Sequence, residues 1–347
     1  MAYTTIDDPT IYFNTVLWTG NTTNSTAITG VGFQPDMVWI KNRSTTDNHA
    51  IFDAIRGATY RIYPNDTDAQ IQATNSLASF DSDGFTLNDG GDANGVGEDI
   101  VGWNWKANGS GSSNEAGSIN TTATSVDTTS GFSISTYTGN DTAGATIGHG
   151  LGAVPGLIII KCLDASQSWV VYHHKNTAAP ETDFLILNDN DATADHVNRW
   201  NDTAPTSTLI TLGDENQSNG SQTYVAYAWT EKQGYSKFGS YTGNGSTSGP
   251  MIWLGFRPAM VIAKRTDSTG YWRMRDNKRT PYNVIDKVLR PDTDEAEITE
   301  DNHDFLSNGF KVRTSGPENN ASGGTYVYAA FSEAPLVNSN GVPCNAR

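Results

Sequence analysis

Three short acidic elements, Asp66-Thr67-Asp68, Asp189-Asn190-Asp191 and Asp292-Thr293-Asp294, form the sharpest polar constellation in the chain. Paired carboxylates on a loop can ligate Ca²⁺, which takes about six to eight oxygens. Asp189, Asp191 and Asp195 come nearest to the opening of a calcium loop. None of the three elements is followed by the glycine and the bidentate glutamate of an EF-hand. The competing reading is a turn or cap in which Asp accepts backbone N–H groups. No cofactor is expected.

A second chemistry is sugar binding, in which exposed aromatic rings stack on sugar faces while polar groups bond the hydroxyls. Trp200, Tyr235, Trp272 and Tyr282 lie outside the obvious core pattern and are the candidate receptor contacts. The alternative is that a sheet protein this rich in aromatics buries them. A third chemistry is glycoside hydrolysis, which needs two carboxylates across a cleft. With 38 acidic residues such pairs arise unavoidably and single out no site. No Ser-His-Asp or Cys-His arrangement stands out among six histidines. His173 and His174 are adjacent, and adjacent strand residues face opposite ways, which makes a poor metal clamp. Gly90 to Gly97 has no following Lys-Ser/Thr and is no phosphate loop; it reads as a hairpin loop. The chain is expected not to be an enzyme.

Composition narrows the partners. Lys and Arg total 22 against 38 Asp and Glu, a net charge of −16, which opposes binding to nucleic acid and to anionic membranes. No apolar run approaches the length of a membrane span, and the first nine residues lack the pattern of a signal peptide. Two cysteines cannot build a disulfide framework, and Cys162 follows an apolar run as a small core residue would. Nine Trp, 14 Tyr and 12 Phe with abundant Gly, Ser, Thr and Asn point to strands joined by turns.

The elements that must carry these residues recur three times. Trp18-Thr19-Gly20-Asn21, Tyr137-Thr138-Gly139-Asn140 and Tyr241-Thr242-Gly243-Asn244 are one landmark. A proline-led apolar run ending in lysine follows: Pro35 to Lys41, Pro155 to Lys161 and Pro258 to Lys264, six residues each time. Eight residues beyond each lysine stand His49, Trp169 and Trp272. Ile100 to Trp105, Tyr224 to Trp229 and Tyr326 to Phe331 close the units, 70, 74 and 73 residues after the proline. The common order and spacing predict three copies of one unit.

Within a unit the proline-led runs suit strands buried on both faces or central in a sandwich, with proline at the entrance. The closing segments alternate like half-buried antiparallel strands. Ser82 to Phe85 and Ser307 to Phe310 carry turn chemistry. Short helical turns are expected after Asp66, Asp189 and Asp292. The fold class is all-β: three tandem β-sandwich repeat domains of jelly-roll or lectin-like kind. The expected organisation is an N-terminal attachment arm over 1–10 and sandwiches over 11–107, 131–232 and 233–334. A Gly/Ser/Thr linker, flexible or surface-bound, covers 108–130, and a tail covers 335–347. Units two and three, with almost no linker, are expected to pack rigidly.

The opening Ala-Tyr-Thr-Thr-Ile-Asp-Asp-Pro, Gly32 to Ser44, Phe80 to Phe85 and Gly102 to Ala107 resemble a repeat of tail-fibre-like or appendage proteins of tailed, often marine, bacteriophages. The match is close over the first unit and recognisable in the third. The second departs most, with Val154-Pro155-Gly156 and no Asp-Ser-Asp-Gly-Phe turn. The resemblance implies a virion structural protein, assembled in the host cytoplasm and contributing to host attachment. Its partners would be other tail or head proteins, itself as a homotrimer, and a host surface glycan or protein. It carries no catalytic residues over to this chain. The alternatives are a head-decoration or capsid-fibre protein and a polysaccharide-binding or polysaccharide-cleaving tailspike.

Overall fold

The computed structural model describes residues 2–344. Over residues 11–107, the first of the units expected from the sequence, β1 (Phe13–Thr19), β2 (Thr26–Thr29), β3 (Met37–Asn42), β4 (Ala50–Asp53), β5 (Tyr60–Arg61), β6 (Ile71–Gln72), β7 (Leu77–Asp81) and β8 (Gly84–Leu87) precede α1 (Gly91–Asn94) and β9 (Asp99–Trp105). The second holds β10 (Ala123–Asp127), β11 (Phe132–Thr138), β12 (Thr146–Gly148), β13 (Leu157–Cys162), β14 (Val170–His173), β15 (Asp183–Ile186), β16 (Ala194–Asp195), α2 (Val197–Trp200), β17 (Leu209–Thr211) and β18 (Thr223–Trp229). The third holds β19 (Ser236–Thr242), β20 (Met251–Trp253), β21 (Phe256–Arg265), β22 (Arg273–Asp276), β23 (Ile285–Val288), β24 (Ile298–Leu306), β25 (Gly309–Val312), α3 (Pro317–Asn320) and β26 (Thr325–Pro335). The chain is therefore all-β, and its α-helices are single turns.

The sheets are antiparallel. One has the order β1-β9-β3-β4, another contains β11-β18-β13-β14, and a third runs β19-β26-β21-β22. Against them stand the sheets β2-β8-β7, β12-β17 and β20-β25-β24-β23. Alternation along the central strands shows how the layers divide. Val38, Ile40 and Ile100 face a core that the first unit builds with Ile28, Phe85 and Leu87. Met37, Trp39, Val101, Trp103 and Trp105 face the other way, into one cluster shared with Leu157, Ile159 and Trp229 and with Met260, Ile262 and Phe331. Ile158, Ile160 and Ala226 have their own core in the second unit, as do Val261, Ala263 and Tyr328 in the third. Three sheets thus put one face on a common core and the other on a private one.

This explains why the proline-led runs are apolar without a break: both faces are covered. It corrects the closing segments, which are buried on both faces rather than half-buried. Their alternation sorts residues between two cores, not between core and water. At the centre an apolar void of about 30 Å³ remains, lined from all three units by residues such as Trp105, Ile159 and Met260. It has room for about one water and no polar lining to hold it.

The Thr-Gly-Asn landmarks also acquire a cause. A Cβ on Gly20, Gly139 or Gly243 would stand 2.0–2.3 Å from a carbonyl oxygen of Gly95, Gly220 or Ala321, so no side chain fits there. The N–H groups of Asn21, Asn140 and Asn244 donate to the side-chain oxygens of Asn94, Asn219 and Asn320, which are fully buried.

Several expectations change. Residues 108–130 are not a flexible linker. Asp36 accepts N–H bonds from Ala107 and Gly109, and β10 pairs with β11. The arm over 1–10 packs on the fold rather than extending from it. Tyr3 Oη donates to Gly255 O and Thr4 Oγ1 to Gln233 O, both at 2.7 Å, and Ile6 sits in the common core. Asp7 accepts bonds from the backbone and hydroxyl of Ser339, tying the tail to the arm. Met1 and residues 345–347, the ends of that arm and tail, lie outside the described residues. Pro258 is not at a strand entrance but at a bulge inside β21, where a missing N–H is tolerated. The helical turns follow Gly90, His196 and Gly316, not the acidic elements, and α1 lies inside the expected hairpin loop. Ser82-Asp83 and Ser307-Asn308 do form tight turns, between β7 and β8 and between β24 and β25. Among the described residues no helix is long and apolar enough to cross a membrane.

Candidate functional site

The acidic elements lie where one unit meets the next. Lys161 Nζ donates to Thr67 O in the first unit and to Gln167 O, both at 2.9 Å. Lys264 Nζ donates to Asn190 O and Asp191 O in the second unit, at 3.2 and 2.7 Å. Lys41 Nζ donates within its own unit to Asn42 O and Thr45 O, while Asp294 of the third unit accepts at its carbonyl from Asp47 N–H. Burial pushes all three ammonium groups down to about 8, and carboxylates of these elements push back. Backbone bonds repeat the circuit. Gln70 N–H donates to Leu163 O, Thr193 N–H to Thr266 O and Glu297 N–H to Arg43 O.

The residues eight beyond each lysine complete it. Trp169 Nε1–H donates to Tyr63 O, Trp272 Nε1–H to Ile186 O and His49 Nε2–H to Arg290 O. The Asp53 carboxylate, at the end of β4, accepts from Arg56 Nε at 2.6 Å and from Tyr227 Oη at 2.6 Å. The Asp276 carboxylate accepts from Arg279 Nε at 2.5 Å and from Trp103 Nε1–H at 3.1 Å. His173 Nε2–H donates to Tyr328 O at 3.0 Å. The lysine, histidine and Asp–Arg groups of this circuit are buried and join sheets.

Of the calcium candidates, Asp189 and Asp191 lie on the loop before β16 and Asp195 ends that strand. Asp189, Asp191 and Asp195 are exposed, and Asp189 Oδ1 accepts the Asp191 N–H at 3.2 Å. Among the described residues no three His, Cys, Asp or Glu side chains converge as a metal site. Saturating Ca²⁺ or a chelator should leave the thermal midpoint unchanged, whereas a Ca²⁺-dependent rise would reinstate the site. Cys162 is fully buried in the private core of the second unit.

Three of the four aromatic candidates are core residues. Trp200, Tyr235 and Trp272 expose 2%, 1% and 4% of their surface. Trp200 Nε1–H donates to Asp183 O, and Tyr235 packs edge-on against Tyr12. The two indole N–H groups find carbonyl partners inside, which removes the reason to place them in water. Tyr282 alone is exposed, at 74%, beside Arg257 and Phe305 in a shallow cleft.

The sequence reading passed over Trp253, which is 52% exposed, and Met251, at 41%. They border a cleft of about 470 Å³ between β19 and β20, with Lys175 and Glu231 of the second unit at its rim. Lys237 Nζ spans the cleft to Trp253 O at 2.7 Å. Glu231 is the one carboxylate among the lining residues, so a two-carboxylate mechanism has no pair there. The signal was available by comparing units: Ala27 and Thr29 on β2 occupy the register that Met251 and Trp253 hold on β20.

No curated protein and no solved structure matches the chain. One family model spans residues 8–335, from the start of the first unit to the end of β26, under the description Domain of unknown function (DUF7483). The match covers nearly the whole fold as a single unit, and the chain belongs to that family.

Proposed function

We propose that this chain is a non-enzymatic structural protein of a bacteriophage virion, part of a tail fibre or similar appendage, built from three copies of one β-sandwich unit. The observation that carries the architectural reading is the shared core, to which three sheets of one strand order each give a face. Lys161 and Lys264, the backbone of the acidic elements and the ring nitrogens of His49, Trp169 and Trp272 are consumed in joining units. What remains on the outside is polar, acidic and turn-rich, suited to a body that holds other parts. The virion assignment rests on the resemblance of the first and third units to appendage repeats, with host attachment as the contribution that resemblance implies. Homotrimeric assembly would build on a chain that already brings three sheets together, so its contacts would lie on the outer faces.

Immunogold electron microscopy of particles of the phage that encodes the chain tests this reading. Label on the tail or its appendages is the expected result. Label on the capsid would favour the head-decoration alternative. Particles without label, from cells that make the protein, would end the virion reading.

A further inference from the structure

The second and third units differ at one edge. In the second, edge strand β11 is paired by β10, from Ala123 opposite Thr136 to Asp127 opposite Phe132. Just upstream, Ile119 bridges to Ile147 on β12, its N–H bonding Thr146 O at 2.9 Å, and is buried in the private core. Residues 112–127 thereby fill the open side of the sandwich between β11 and β12. Among the described residues no such strand covers the corresponding side of the third unit, between β19 and β20, which is the cleft bordered by Trp253.

Strand parity shows what the cleft offers. Gly243 N–H donates to Gly324 O beside β26, as Gly139 N–H donates to Gln222 O beside β18. Successive strand residues turn their backbone groups to opposite sides. Ser240 and Thr242 therefore aim N–H and C=O away from β26, into the cleft. Phe238, the next such position, is already engaged. Its N–H donates to Glu231 Oε1 at 2.8 Å, and its carbonyl accepts from His174 Nε2 at 2.7 Å. Proteins blunt exposed strand edges, and here the blunting stops at Phe238.

The wall of the cleft is also unusual. Met251 and Trp253 lie opposite Lys311 and Gly309. The same register holds Ala27 and Thr29 on β2 and Thr146 and Gly148 on β12. The sandwich forms elsewhere with small or polar residues there, so folding does not require large exposed apolar groups at this place. Such groups mark contact surfaces.

We propose that this cleft takes an extended polypeptide segment of a partner protein as an added strand on β19. The segment runs antiparallel to β19, as β10 does to β11, and seats an aliphatic side chain beside inward-facing Ile252, as Ile119 meets Ile147, while its neighbours on the other face pass Met251 and Trp253. Main-chain bonds to Ser240 and Thr242 supply the pairing and the Met251–Trp253 wall supplies the selectivity, the usual division in strand addition. The chain's own residues 112–127 are the precedent, and they favour a polypeptide over a sugar. The inference stands on the fold and not on the virion reading.

A displayed library of random 12-residue peptides, selected on the intact chain, tests it. Enriched peptides should carry an aliphatic residue and slow hydrogen exchange at the Ser240 and Thr242 amides. They should lose about tenfold or more in affinity on Trp253→Thr and on Ser240→Pro. The first variant imports the residue that β2 carries at this register. The second removes an N–H that points away from β26, so pairing with β26 is kept; unchanged unfolding midpoints confirm folding. No enrichment, or enriched peptides indifferent to both substitutions, would overturn the proposal. So would quenching of tryptophan fluorescence by an oligosaccharide panel that Trp253→Thr abolishes, which would give the cleft to a sugar.

Discussion

Lowering the pH from about 6.5 towards 3 should cost the wild-type chain roughly 4 kcal/mol of stability through His173 alone, with His49 adding to the loss. Both rings are buried with both nitrogens committed. His173 Nδ1 accepts the Lys175 N–H at 3.1 Å while Nε2–H donates to Tyr328 O. His49 Nδ1 accepts from Trp39 Nε1–H at 2.9 Å while Nε2–H donates to Arg290 O. A second ring proton would destroy an acceptor and bury a charge. Burial therefore pushes His173 down to about 3, helped by the neighbouring His174 and Lys175. Burial likewise holds His49 well below the usual range, helped by Lys41 and Arg279.

The sign follows from proton counting. Between the folded value near 3 and the unfolded value near 6.5, the unfolded chain binds more protons, so stability falls as pH falls. Asp292 works the other way. Burial raises its carboxyl to about 7, so the folded chain takes up that proton first as pH drops below 7. The histidine contribution is isolated by comparing urea midpoints of the wild type and His173→Asn across this range. The variant should start less stable above pH 7, having lost the bond to Tyr328 O, and the gap should narrow steadily below pH 6.5. A gap independent of pH would refute the assignment.

Asp53→Ala should destabilise the protein by about 3–5 kcal/mol, the range for stranding a buried charge. Arg56 and Asp53 expose 3% and 0% of their side chains, and Asp53 is the carboxylate that holds the guanidinium. Its loss also leaves Tyr227 Oη, from the second unit, without its acceptor. The double variant Asp53→Ala/Arg56→Met should recover part of the loss, because an apolar residue costs less there than an unpaired cation. Chemical denaturation of the three proteins checks this. A single variant within about 1 kcal/mol of wild type would show that the pair does not hold the junction.

Much of the local structure was legible from residue types because its causes are local. Proline-led apolar runs mark β3 and β13, Ser-Asp-Gly and Ser-Asn-Gly mark two tight turns, and Thr-Gly-Asn ends β1, β11 and β19. The sites were much less legible. Trp272 and Trp253 look alike in sequence. The first sits 4% exposed with its N–H on a carbonyl 86 residues away, and the second borders an open cleft. Residues 112–127 looked like a linker because Gly, Ser and Thr dominate, yet a bare neighbouring edge turns that stretch into a strand.

By itself the sequence determined the all-β class, the order of the elements, and the recurrence of landmarks at constant spacing. Those follow from periodicity two, from glycine and proline geometry, and from the absence of a helical stripe. Only the tertiary structure decided that the central strands serve two cores, that two of the acidic elements receive a lysine of the following unit, and that one edge of the third unit stays open. The partners in such contacts lie 73 to 174 residues apart, from Asp191 and Lys264 to Asp53 and Tyr227. Burial on the second face depends on which sheet arrives there, and local periodicity carries no record of it.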